Sequence, residues 1–263
     1  MVKAGAGPAA ALTAATLIAG CASAGDTPPS DQAGPAPAVS GNLTVYAAAS
    51  LRPTFTELGA RFERDHPSAT VTFNFAGSSS LVTQLAQGAP ADVFASANTE
   101  NMAKAVDAGL VAAEPVDFAT NVLTIVTPPG NPQTITDFAD LAQPGVQLVV
   151  CAPQVPCGAA TEQVEQSTGV TLSPVSEESN VTDVLGKVTA GQADAGLVYV
   201  TDAADAGDAV TEVPFAQAAD AVNTYPIAVL ADSSNPAAAQ EFVELVTGAQ
   251  GRRILDAAGF AAP

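Results

Sequence analysis

Apolar positions along this chain switch between a two-residue and a three-to-four-residue period, and the switching predicts its elements. Leu43-Thr44-Val45-Tyr46-Ala47 reads as a strand, and Phe55, Leu58 and Phe62 fall at helical spacing in a helix from Pro53 to Asp65. The same reading predicts strands at Thr70 to Phe75 and Asp92 to Ser96, and helices at Leu81 to Gln87 and Glu100 to Ala108, the latter stopped by Gly109. A second cycle opens at Val122-Leu123-Thr124-Ile125-Val126, with strands at Gln147 to Val150 and Ala195 to Val200 and helices at Ala159 to Ser167 and Thr182 to Ala190. A strand from Tyr225 to Leu230 and helices from Pro236 to Thr247 and Gln250 to Ala257 close the chain. Alternating strands and helices predict an α/β protein with mainly parallel sheets covered by helices. Two cycles imply two lobes, drawn at 42–121 plus 228–263 and at 122–227, with the ligand in the cleft between them.

In open α/β sheets, ligands sit where strands end and helices begin. Four junctions are unusual here: Ala47-Ala48-Ala49-Ser50-Leu51, Gly77-Ser78-Ser79-Ser80, Val155-Pro156-Cys157-Gly158 and Ser179-Asn180-Val181. Each offers backbone N–H groups with no intrahelical partner, and together they form a candidate neutral cage for an oxyanion. Taken singly, Ser50, Ser78 and Asn180 are ordinary helix caps, and Tyr199 is a strand aromatic with its hydroxyl at the surface. Only the set carries the argument.

Composition adds a constraint. Of 263 residues, 48% are apolar, enough for a sizeable core, while 8 Lys and Arg face 27 Asp and Glu for a net charge of -19. That balance opposes attraction to nucleic acid and to anionic membrane surfaces. It also repels small anions at long range, so an anion would have to be held locally, with water excluded. A serine hydrolase would need a base near Ser50 or Ser78, yet the single histidine, His66, sits before Pro67 at a predicted helix end, and no Gly-x-Ser-x-Gly elbow occurs. No catalysis is expected.

Residues 1–20 combine Lys3 with a short apolar run ending Leu17-Ile18-Ala19-Gly20-Cys21. The run is too short for a mature spanning helix. Its ending resembles a lipoprotein signal with Cys21 as the lipidated residue, an ordinary cleaved signal peptide being the alternative. Residues 21–41, rich in Ala, Gly, Pro, Ser and Asp, read as a disordered tether. With Cys21 lipidated, Cys151 and Cys157 remain as a pair that reads as a short-range disulfide, with two free thiols or half of a metal site as rivals. A zinc site would need more Cys or His, so no metal cation ligands are assigned.

Val45-Tyr46-Ala47-Ala48-Ala49-Ser50-Leu51, Phe75-Ala76-Gly77-Ser78-Ser79-Ser80-Leu81, Gly88-Ala89-Pro90-Ala91-Asp92-Val93-Phe94, Val155-Pro156-Cys157-Gly158 and Gly196-Leu197-Val198-Tyr199 follow one another in the order and approximate spacing of the periplasmic molybdate-binding proteins. The chain resembles that family over residues 43–263. The resemblance implies a type II periplasmic binding protein fold, hinged near Asn121 and Tyr225. The protein would be a monomer, extracytoplasmic and anchored to the membrane through Cys21, without a cofactor. It would deliver molybdate, and tungstate similarly, to the permease of an ABC transporter. The oxyanion would be held by the hydroxyl and N–H of Ser50 and Ser78, the N–H of Cys157 and Val181, and the Tyr199 hydroxyl. The family usually carries a small residue such as Ala where Cys157 stands, and often Ser where Gly77 stands. Such a set consists of donors only, which suits molybdate, a dianion that only accepts hydrogen bonds; hydrogen phosphate would also require an acceptor.

Overall fold

The structure, a computed structural model, describes residues 39–263. The signal segment 1–20, Cys21 and the tether as far as residue 38 lie outside the described residues. Ser40 and Gly41, read as the end of the tether, belong instead to a strand: they pair with Ser68 and Ala69, and Asn235 Nδ2 donates to Ser40 O at 2.8 Å. Backbone pairing needs no apolar side chain, so composition did not reveal it.

In chain order the elements are β1 (Ser40–Ala48), α1 (Arg52–Asp65), β2 (Ser68–Ala76), α2 (Ser78–Ala86), β3 (Val93–Ala95), α3 (Thr99–Asp107), β4 (Val116–Asn121) and β5 (Leu123–Thr127). There follow β6 (Leu148–Cys151), α4 (Pro156–Thr168), β7 (Ser176–Glu178), α5 (Val181–Thr189), β8 (Ala195–Tyr199) and α6 (Val200–Ala206). The chain closes with β9 (Thr211–Val213), β10 (Asn223–Val229), α7 (Pro236–Thr247) and α8 (Ala249–Ala257).

Two five-stranded sheets result, ordered β2-β1-β3-β10-β4 and β7-β6-β8-β5-β9. They share one plan. The pairs β2-β1-β3 and β7-β6-β8 run parallel, whereas β10 is antiparallel to β3 and β4, and β5 is antiparallel to β8 and β9. The sheets are therefore mixed rather than mainly parallel. The strands that run against the rest stand at the crossings between lobes: β5 follows β4 with Val122 alone between them, and β10 brings the chain back into the first sheet. β10 lies wholly in the first sheet, so the chain has returned by Asn223, ahead of the Ala228 boundary read from sequence.

The cores differ in material. In the first lobe Phe55 packs on Phe118, Phe242 and Phe73 with ring centroids 5.8, 6.0 and 6.4 Å away, beneath Leu43, Val45 and Val93. The second lobe is mostly aliphatic, built on Ile125, Val149, Val184, Leu197 and Val198. At the crossing, Asn121 is buried; its Oδ1 accepts from Val122 N–H at 3.0 Å and its Nδ2 donates to Thr201 Oγ1 of the second lobe at 2.8 Å. The carboxyl ends of β1, β2, β6, β7 and β8 all lead into helical turns at the seam between the lobes.

Candidate oxyanion site

Three helices start earlier than their apolar periodicity indicates, and this builds the site. α2 begins at Ser78 rather than near Leu81, α4 at Pro156 rather than Ala159, and α5 at Val181 rather than Thr182. Ser78, Cys157 and Val181 thus lie in first turns, where backbone N–H groups have no intrahelical acceptor. The residues preceding α2 and α4, Gly77 and Val155, supply no capping side chain. Asn180 caps α5 through Asp183 N–H at 2.9 Å, leaving the N–H groups of Val181 and Thr182 uncapped by it.

These starts converge. Ser50, Ser78, Cys157, Val181 and Tyr199 all line one small cavity, together with Gly77, Ala97 and Asn180. Ser50 and Ser78 come from the first lobe and the other three from the second, so the cavity lies at the seam. No Asp, Glu, Lys or Arg of the described residues lines it. A neighbouring cleft is larger, but it is lined by the acids Asp202, Asp205 and Asp256.

The hydroxyls are arranged as donors. Ser78 Oγ accepts from Ala97 N–H at 3.0 Å, which leaves its own hydrogen free for the cavity. Ser50 Oγ lies 3.1 Å from Tyr225 Oη; when the phenol donates, the serine hydrogen is likewise free. Tyr199, read from sequence as presenting its hydroxyl to the surface, is instead 1% exposed, and its Oη has no hydrogen-bond partner. A buried hydroxyl left unpaired costs stability unless a ligand satisfies it. Burial, then the neighbouring Tyr225 and Asp202, holds the Tyr199 phenol well above the usual tyrosine range, so it stays protonated and able to donate. Burial likewise raises Tyr225.

Carboxylates near the site face elsewhere. Asp183 accepts from Asn180 Nδ2 at 2.7 Å, Glu178 pairs with Lys187 at 2.5 Å, and Glu177 is exposed. Asp202 is the buried acid that the sequence reading missed; its Oδ2 accepts from Tyr199 N–H at 3.0 Å. An acid three residues after a helix cap is a recognisable signature and marks this one. Tyr225, Ala97 and Asn223 were also missed as parts of the site. His66 packs with its ring tilted against Phe62 at the end of α1, opposite the end that follows Ser50 and about 20 Å along it, so it does not pair with that serine.

Cys151, the last residue of β6, is bonded to Cys157 in the first turn of α4. The bridge fastens the loop that presents the Cys157 N–H. Replacing both cysteines with Ser is expected to lower the unfolding free energy by about 2 kcal/mol, the loop-closure value for so short a ring. The shift in urea midpoint relative to the parent protein measures it.

Two mixed-sheet lobes meeting over a small, uncharged, donor-lined cavity at the carboxyl ends of strands define a solute-binding protein. Residues 43–261 match the bacterial extracellular solute-binding protein family, and the chain belongs to it. Among its relatives, the molybdate-binding protein ModA of Mycobacterium tuberculosis (strain H37Rv) is 53% identical over 253 residues, covering 96% of this chain and 97% of that protein. ModA of Escherichia coli K12 is 32% identical over 243 residues, covering 87% and 92%. In fold, the periplasmic molybdate-binding protein of Azotobacter vinelandii superposes with a TM-score of 0.74 at 22% identity, covering 84% of this chain and 99% of that one.

Proposed function

We propose that this chain captures molybdate, and tungstate similarly, outside the cytoplasmic membrane and delivers it to the permease of an ABC importer. It acts as a monomer anchored by a lipid on Cys21 and performs no catalysis. The observation that carries the reading is the convergence of Ser50, Ser78, Cys157, Val181 and Tyr199 on one uncharged cavity, with the Tyr199 hydroxyl buried and unpartnered. A fully deprotonated dianion accepts from every member of this set, and hydrogen bonds to a charged acceptor are about twice as strong as neutral ones. That local strength offsets the long-range repulsion from the net charge of -19. Sulfate, being smaller, contacts the donors more loosely, and hydrogen phosphate brings a proton for which the set provides no carboxylate.

Calorimetric titration with molybdate, tungstate, sulfate and phosphate in parallel tests the assignment. Tight binding confined to the first two supports it; preference for sulfate or phosphate refutes it. Ser78→Ala should cost about 1.5–3 kcal/mol of binding free energy, the loss of one bond to a charged acceptor. An unchanged dissociation constant would remove Ser78 from the site.

A further inference from the structure

Asn223 is buried at the first position of β10, and its side chain reaches both halves of the site. Its Nδ2 donates to Ala97 O at 2.8 Å and, at a longer 3.5 Å, to Pro156 O. The opposite amide orientation would set Oδ1 against two carbonyl oxygens, so the nitrogen must face them. Oδ1 is buried with no partner, a cost that an apolar residue would avoid and that the donor half of the amide offsets.

Each acceptor belongs to a residue that bears on one of the proposed anion donors, Ala97 through a hydrogen bond and Pro156 through its peptide. Ala97 belongs to the first lobe, and its N–H is the group that orients the Ser78 hydroxyl. Pro156 belongs to the second lobe, and its carbonyl shares a peptide plane with the Cys157 N–H. The described chain has no cis peptide bond, and in a trans peptide C=O and N–H point in opposite directions. Holding Pro156 O therefore fixes where the Cys157 N–H points. The Ala97 bond lies within one lobe, whereas the Pro156 bond exists only while the lobes are together. Asn101 Nδ2 makes a companion contact to Gln154 O at 3.4 Å.

We infer that Asn223 is a positioning residue that ties closure of the lobes to the alignment of two anion donors, Ser78 Oγ and Cys157 N–H, without touching the anion. The inference rests on the cavity being the molybdate site. Opening the lobes strands one N–H of the amide, so Asn223 slows release of the bound ion.

Asn223→Ala and Asn223→Asp, with Ser78→Ala alongside, test this by molybdate titration, stopped-flow dissociation and melting with and without molybdate. Asn223→Ala should weaken binding about three- to tenfold, chiefly through faster dissociation, and shrink the molybdate-induced rise in melting temperature. Asn223→Asp keeps the shape but offers no N–H to the two carbonyls and adds negative charge, so it should lose at least as much. Wild-type affinity and dissociation in both variants, with Ser78→Ala weakened, would overturn the inference and leave the site standing. If Ser78→Ala also binds like the parent, the site assignment falls and the inference with it. Equal lowering of the ligand-free and molybdate-bound melting temperatures would make Asn223 merely structural and overturn the inference.

Discussion

Gly77→Ala should weaken molybdate binding by about 100-fold or more while leaving each lobe folded. Gly77 ends the junction between β2 and α2, and a Cβ there would stand 2.1 Å from Ser179 O, which belongs to the second lobe. That carbonyl is backbone, held between β7 and α5, and cannot swing aside as a flexible side chain would. Adding one methyl group therefore props the lobes apart in this chain, even though the family often carries Ser at this position, because here the Ser179 carbonyl occupies the space that a Cβ would need. The anion then keeps Ser50 and Ser78 but loses contact with Cys157, Val181 and Tyr199. Losing two or more charge-assisted bonds, each worth about 1.5–3 kcal/mol, accounts for the expected factor. Small-angle scattering supplies the second readout: the parent should become more compact on adding molybdate, and the variant should not. Parent-like affinity in Gly77→Ala would show that capture does not require this close approach.

The second large effect concerns acidity. Burial pushes the Asp202 carboxyl up to about 7; the hydrogen bond from Tyr199 N–H opposes the shift and Asp205 adds to it. The folded protein thus holds this proton more tightly than the unfolded chain, whose value is about 3.9. Its contribution to stability is complete below that unfolded value and is lost as pH rises through about 7. Three units at about 1.4 kcal/mol each set an upper bound near 4 kcal/mol. Asp202→Asn keeps an oxygen to accept from Tyr199 N–H and removes the titration. Denaturant unfolding at about pH 4.5 and pH 8 should show the parent losing stability relative to the variant over that interval. Parallel pH profiles would show that Asp202 does not titrate there.

Much of this architecture is written locally. Phe55, Leu58 and Phe62 mark α1 because one face of a helix must be apolar, and the short runs at Leu43, Val122 and Ala195 mark strands buried on both faces. What stayed hidden depends on partners distant in sequence. β4 exposes Val116 and Asp117 and buries Phe118 and Ala119 next to each other, so it shows no alternation. β7 and β9 are three residues each, too short to display a period. Gly77-Ser78-Ser79-Ser80 reads as a loop by propensity, but packing against the second lobe draws it into α2 and so places Ser78 in the first turn. The residues that line the cavity were legible because helix starts and hydroxyls are local features. Their supports were not: Tyr225 meets Ser50 across 175 residues, and Asn223 meets Ala97 across 126. No window of sequence contains both ends of such a bond.

The donors at Cys157 and Val181 belong to the main chain, which every residue except proline provides. Substitution at those two positions can therefore change bulk, polarity or redox chemistry without deleting the group proposed to meet the ion. This latitude lets position 157 contribute a covalent cross-link to Cys151 while its amide remains in the cage. Ser50, Ser78 and Tyr199 have no such freedom, since their hydroxyls vanish with the side chain.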